Sequence, residues 1–315
     1  MNSSAATRVK GPVLILGANG QVGFELVRTL AGLGQTHAFL RADMPLDEPD
    51  AVRKMMSDMK PSVIVNAAAY TAVDRAESEF EAAKAVNADA PGLLAECANL
   101  VGAALVHYST DYVFDGRRLP DASDAGYQEH DPTGPLNAYG NTKLLGEQAI
   151  MAQAKRFLIF RTSWVYGLRG KNFLLTMLRL ARDRSELKVV ADQYGSPTWS
   201  RTIATLTGHV LAQQQAPTCD TEAWWSENSG TYHMTAAGST SWAGFAREIF
   251  REAIPDGSRR PAVVPIPSSE YPTPVERPGN SRLSNEKLQR QFGLQPPEWD
   301  DALRQCLGEG AIVNG

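Results

Sequence analysis

The strongest constraint on this chain is a set of three glycines. Gly17, Gly20 and Gly23 stand three apart. They directly follow an apolar run, Val13-Leu14-Ile15-Leu16. They also open a stretch, Gln21 to Leu33, in which Val22, Leu26, Leu30 and Leu33 recur at helical spacing. Strand, glycine turn, helix is the arrangement that brings the free N–H groups of a helix N-terminus up to a phosphate. Each glycine has its own reason to be there. Gly17 permits the tight turn, Gly20 lets backbone approach a pyrophosphate, and Gly23 lets the helix pack on the strand. A glycine-rich turn with no ligand is the competing reading, and the flanking strand and helix weigh against it.

The rest of the first half repeats the alternation. Residues 38–40, 63–65, 104–108 and 157–160 read as buried strands. Residues 50–59, 77–100 and 139–155 read as helices, with Pro91 kinking or splitting the second. This predicts an α/β fold: a doubly wound parallel sheet, Rossmann-like, over residues 11–165. Residues 1–10 read as a disordered lead. The second half, 166–315, reads mainly as a smaller mixed α/β substrate lobe, with a later strand open to rejoin the sheet. Its helices are expected at 173–184, 201–215, 242–253 (with Ser241 as N-cap), 285–292 and 299–307. Residues 230–234 read as a short strand, and Pro261 to Pro278 is too proline-rich for a long regular element.

Composition narrows the class. The chain is 43% hydrophobic and 21% charged, which excludes a disordered protein. Lys plus Arg is 31 against 35 for Asp plus Glu, and a net charge of −4 argues against a nucleic-acid binder. No apolar run approaches membrane-spanning length, and the first ten residues lack the apolar core of a signal peptide. Cys97, Cys219 and Cys306 lie far apart, so neither disulfides nor a zinc site is expected, and a reducing cytoplasm fits. The five histidines show no ligand spacing. Asp74, Glu77 and Glu79 read as a solvated helix start, and Asp121, Asp124, Glu129 and Asp131 as a polar loop.

Two further patterns carry chemistry. The second strand ends Leu40-Arg41, where an acid would hold a ribose 2′-hydroxyl. An arginine suits a 2′-phosphate, so NADPH is expected ahead of NADH, which remains possible; Asp43 is the competing ribose ligand. Tyr139 and Lys143 stand four apart, on one helix face. An ammonium beside a phenol favours the phenolate and would tune Tyr139 for proton transfer. Ser109-Thr110-Asp111 ends another strand, at the sheet edge where ligands bind.

The glycine loop with Tyr139-x-x-x-Lys143 resembles the extended short-chain dehydrogenase/reductases. Further stretches are similar to one branch of them, the dTDP-4-dehydrorhamnose reductase family. They include residues 66–74, 109–116, 139–147, 161–166, 192–198 and 277–281. The resemblance implies reduction, with NADPH, of the C4 keto group of dTDP-4-dehydro-L-rhamnose to dTDP-L-rhamnose. It implies Tyr139 as proton donor, with Lys143 and Thr110 as its catalytic partners. It implies Gly17, Asn19, Gly20, Gln21, Val22, Gly23, Arg41, Ala67, Ala68, Ala69, Tyr108, Tyr139 and Lys143 at the cofactor. Val73, Thr110, Asp111, Tyr112 and Trp164 would meet the sugar. Trp164 taken alone reads as a core aromatic. A sibling nucleotide-sugar reductase or epimerase, or a non-catalytic NADP-binding regulatory subunit, would keep the same residues. Some members of the family hold a metal between two subunits with glutamates. Glu25 matches one of these, read here as a first-turn carboxylate, but Arg201 stands where another glutamate would. No metal is therefore expected, and a monomer or weak homodimer is.

Overall fold

The computed structural model describes residues 11–118, 126–216, 218–254 and 259–313, the side chains of 311–313 excepted. The expected lead 1–10, and Asp121 and Asp124 of the polar loop, lie outside the described residues. The central sheet is built from β1 (Val13–Leu16), β2 (Thr36–Phe39), β3 (Val63–Asn66), β4 (Ala104–Thr110), β5 (Phe157–Thr162) and β6 (Gly230–His233). All pairings are parallel, in the order β6-β5-β4-β3-β1-β2. The order reverses beside β1, whose Leu16 pairs with Asn66 of β3. A crevice at the carboxyl ends of these two strands is where such a sheet takes a ligand.

Alternation within each strand feeds two cores. Val13 and Ile15 of β1 pack with Val63, Val65 and Leu26 under α1 (Gln21–Thr29). Leu14 and Leu16 face the other way, against Ile64, Val52 and Met56 of α2 (Pro49–Met59), and Leu94 of α3 (Ala90–Val101). Burial on both faces explains why β1 and β3 read as continuous apolar runs. Beyond α3 come α4 (Ala138–Gln153), α5 (Phe173–Asp183) and α6 (Ser200–Gln214). Helix α6 returns to the sheet, where Ile203, Leu206 and Val210 join the core under α1. Next are α7 (Trp242–Ala253), capped by Ser241 Oγ accepting from Gly244 N–H, and α8 (Trp299–Val313). Phe245, Ile249 and Phe250 of α7 close a separate core with Leu174 of α5 and Leu303 and Cys306 of α8.

Several elements depart from expectation. Residues 77–100 are not one helix. Short helices at Val73–Ala76 and Phe80–Lys84 lead into a π-helical turn, Ala85–Asp89, before α3 begins with Pro91 in its first turn. Proline lacks the N–H that an earlier turn would need and is tolerated at a helix start. The π turn lets Asn87 clamp the backbone of Tyr70, accepting from its N–H at 2.9 Å and donating to its carbonyl at 3.0 Å. The same amide donates to Thr142 on α4 at 3.2 Å. Strand Ala262–Ile266 forms despite Pro265, because its partner in a two-stranded parallel pair, Glu186–Val190, leaves one edge open. Glu77 does more than sit in solvent: its carboxylate accepts from the N–H of Ala138 at 2.8 Å, at the head of α4.

Candidate active site

The glycine loop leaves β1 with Gly17 at φ 74°. A Cβ there would lie 2.7 Å from the backbone nitrogen of Ala68, and one on Gly23 would lie 2.1 Å from the carbonyl oxygen of Gly17. Neither position admits a side chain. Gly20 stands at the head of α1 with no side chain capping the helix. Its first turn opens on a cleft of about 520 Å³. Gly17, Asn19, Gly20, Gln21 and Val22 form one wall, and Ala67, Ala68 and Ala69 another. Gly23 lies underneath, packed on Gly17.

At the far end of the cleft, beyond β2, Arg41 is exposed and pairs loosely with Asp47 at 3.5 Å. Asp43 is committed to its own turn, where its Oδ2 accepts from the N–H of Leu40 at 2.9 Å. The near end holds Tyr108, Tyr139 and Lys143, with Ser109 and Thr162. Ser109 Oγ and Thr162 Oγ1 are buried and have no hydrogen-bond partner among the described residues. Hydroxyls left unsatisfied in a cleft are costly unless a ligand completes them. A helix N-terminus, a side-chain-free cradle and these open hydroxyls fit a dinucleotide. Sequence reasoning missed the third wall, Val165, Gly170 and Lys171. Gly170 and Lys171 come from the second half and Val165 from the last position of the first, and no spacing singles them out.

Helix α4 presents the chemistry. Asn137 caps it, accepting from Gly140 N–H at 2.9 Å while donating to the carbonyl of Glu276 at 3.1 Å. Two residues on, desolvation pushes the Tyr139 phenol up to about 12; a hydrogen bond with Thr110 pulls it back and the charge of Asp111 raises it. Thr110 also donates to Asp111 Oδ1 at 3.1 Å and accepts from Tyr112 N–H at 3.2 Å. Burial lifts the Asp111 carboxyl to about 6 against hydrogen bonds from Ser281 and Thr110. The Tyr112 ring meets Tyr139 edge-on at 5.5 Å. Thr110, Asp111 and Tyr112 thus gather around Tyr139.

The expected tuning of Tyr139 by Lys143 is corrected. Lys143 Nζ donates to the carbonyl oxygen of Tyr108 at 2.6 Å and lies 3.0 Å from His107 Nε2. Helical spacing puts the two residues on one face, but a four-carbon stem lets the amine reach β4 instead of the phenol. Desolvation therefore governs the phenol, which sits above its ordinary value rather than below it. Trp164 is not a core aromatic. It is half-buried, adopts φ 47° and stacks on Trp242 at 3.5 Å, over Gly195, whose Cβ would lie 2.5 Å from the indole. A left-handed backbone on a bulky residue is strain held by its surroundings, and such strain gathers at functional sites. Val73 is half-buried at the start of its short helix.

A family model described as the RmlD substrate binding domain matches residues 11–312. The chain belongs to the RmlD family. Among RmlD relatives, a Burkholderia thailandensis protein named dTDP-4-dehydrorhamnose reductase is 50% identical, over 94% of this chain and 97% of its own length. An Escherichia coli K12 protein of the same name is 43% identical over the same shares. A dTDP-4-dehydrorhamnose reductase from Bacillus anthracis, solved in complex with NADP, superposes with a TM-score of 0.84 at 35% identity, covering 95% of this chain and 99% of that one. A Thermus thermophilus UDP-glucose 4-epimerase, at 17% identity and a TM-score of 0.74, shares the fold.

Glu25 is not in the first turn of α1 but in its second, nearly buried. The Arg201 guanidinium lies between two acids. Its Nε donates to Glu25 Oε2 at 3.0 Å, and its Nη1 pairs with Glu309 of α8. A fixed cation between the two carboxylates does not fit a magnesium ion, which needs oxygen ligands. Among the described residues no group of three His, Cys, Asp or Glu side chains is placed to hold a metal, and no helix is long and apolar enough to cross a membrane.

Proposed function

We propose that this chain reduces the C4 keto group of dTDP-4-dehydro-L-rhamnose to give dTDP-L-rhamnose, with NADPH as reductant. The observation that carries this reading is Tyr139 and Lys143 at the inner end of a glycine-loop cleft, with Thr110 hydrogen-bonded to Tyr139, in a chain of this family. When bound, the reduced cofactor supplies the hydride for C4. Tyr139 then donates its proton to the oxygen that gains charge, and Thr110 hydrogen-bonds that oxygen. Burial keeps the phenol protonated, and therefore able to donate, across the physiological range. Lys143 holds the cofactor ribose. Asp111, Tyr112, Val73 and Trp164 form the sugar side, with Trp164 braced by Trp242.

Gly20 and the first turn of α1 receive the pyrophosphate, and Arg41 faces the 2′-phosphate. The first half (11–165) acts as the dinucleotide-binding domain and the second mainly as the substrate lobe. The enzyme works in the cytoplasm as a monomer or weak homodimer, without a metal. The test is NADPH oxidation followed at 340 nm with the 4-keto sugar generated in situ. Turnover with rhamnose-nucleotide product supports the reading. Cofactor binding without turnover overturns it in favour of a regulatory role.

A further inference from the structure

Lys143 is wholly enclosed, and what surrounds it decides its charge. Glu147, one turn along α4, is the counter-ion its position suggests. Both Glu147 oxygens are taken by Arg161 of β5, whose Nε lies 2.9 Å from Oε1 and whose Nη2 lies 2.6 Å from Oε2. From β4 the neighbours are the carbonyl of Tyr108 and the imidazole of His107. Tyr139 stands one turn back on α4, and the charge of Asp111 acts on Tyr139.

The hydrogen-bond network fixes the imidazole tautomer. Asn66, at the end of β3, is fully buried, as is His107. Asn66 Oδ1 accepts from Ala68 N–H at 3.2 Å, which sets the amide orientation. Its Nδ2 therefore faces His107 Nδ1, 3.1 Å away, as donor. Nδ1 must carry the lone pair, so the proton of a neutral imidazole is on Nε2. That N–H points at Lys143 Nζ, 3.0 Å away. An ammonium has no lone pair to receive it; a neutral amine does, and still donates to the Tyr108 carbonyl.

We propose that Asn66 and His107 form a relay that sets the charge of Lys143, His107 presenting Nε2–H to Nζ and so favouring the neutral amine over the ammonium. His107 is thus a positioning residue for the reduction, acting through Lys143. When Lys143 takes a proton from solvent, one N–H bond forms at Nζ and the lone pair is consumed. The contact from Nε2–H is then lost, and the ammonium turns into the cleft. Burial, opposed by Glu147, lowers Lys143 to about 8, consistent with an amine that charges readily. Burial and Lys143 together hold His107 well below its ordinary value, so the imidazole itself stays neutral.

This rests on the reductase reading for its kinetic consequence but not for its structural one. The structural test is ¹⁵N NMR of histidine-labelled, cofactor-free protein, with His107 assigned by its loss in His107→Gln. The expected signature is an Nε2–H imidazole unchanged from pH 6 to 9; an Nδ1–H imidazole would overturn the proposal whether or not the chain is a reductase. The kinetic test uses Asn66→Asp. An aspartate in place of the amide accepts from Nδ1–H, turns the Nε2 lone pair towards Lys143 and favours the ammonium. The alkaline limb of kcat/KM should move up by about one pH unit, with the plateau below it changed only a few-fold. His107→Gln, whose amide oxygen can accept from the ammonium, should move the limb the same way, and it serves if Asn66→Asp does not fold. A limb that stays in place in either folded variant overturns the relay.

Discussion

Asn172 Nδ2 donates to Gln21 Oε1 at 2.8 Å, across 151 residues of chain. The same nitrogen reaches the carbonyls of Gly167 at 2.9 Å and Arg169 at 3.0 Å, while Asn172 Oδ1 caps α5 through Leu175 N–H. The loop between β5 and α5 is thus closed on itself and tied to the residue that follows the glycine turn. Lys171 is carried on that loop at the wall of the cleft.

An exposed lysine beside a bound pyrophosphate contributes through long-range attraction. Lys171→Ala should weaken NADPH binding by roughly five-fold in dilute buffer, an effect that shrinks as salt approaches 0.5 M or so, where screening is short-ranged. Fluorescence titration of the cofactor at two ionic strengths measures this. An unchanged Kd in dilute buffer would assign Lys171 to solvent.

Tyr139→Phe should cut turnover by roughly 10²–10⁴-fold and leave cofactor affinity nearly intact. The pH dependence separates Tyr139 from its neighbour. The phenol, pushed up to about 12, remains an acid throughout pH 6–9 and places no limb there. Lys143, pushed down to about 8, is charged below that value and neutral above it, so activity should fall as pH rises through it. The residual activity of Tyr139→Phe should keep that alkaline limb. Loss of the limb in this variant would transfer it to the phenol.

Much of this site is visible in the residues alone, and the reason is local. Gly17, Gly20 and Gly23 act through backbone geometry within a single turn, and Tyr139 with Lys143 through one helix face. Spacing reports both. What Lys143 bonds to is not local. Its partners, Tyr108 and His107, come from a strand more than thirty residues earlier, and Asn66, which orients the imidazole, comes from another strand again. The same holds for Trp164 on Trp242 and for the broken helix of residues 73–101. There the interior is shaped by Asn87 meeting Tyr70 and Thr142, and an alanine-rich run reads as continuous.

Arg41 and Asp43 make opposite claims on the cofactor ribose, and the turn between them resolves the contest. With Asp43 bonded to the Leu40 N–H, Arg41, only loosely paired with Asp47, is the cation at that end of the cleft wall. Arg41→Ala should raise KM for NADPH about ten-fold, as expected for loss of a charge-assisted bond to phosphate. KM for NADH should hardly change. Steady-state kinetics with both cofactors decide it, and equal changes would show that Arg41 does not meet the 2′-phosphate.

Arg201 stands where the family resemblance implies a metal-binding glutamate. Its guanidinium joins Glu25 of α1 to Glu309 of α8, so one fixed charge ties the C-terminal helix to the glycine-loop helix. EDTA should therefore leave both activity and Tm unchanged, and added magnesium should raise neither. Arg201→Ala removes the cation and leaves the nearly buried Glu25 without its partner, so Tm should fall by several degrees, more in dilute buffer than in salt. Arg201→Glu is the decisive variant. It places a third carboxylate beside Glu25 and Glu309, an all-oxygen set suited to magnesium. Its Tm should drop without metal and rise on adding millimolar magnesium, while the parent stays indifferent. A parent protein whose activity falls with EDTA and returns with magnesium would mean that the arginine does not replace the ion.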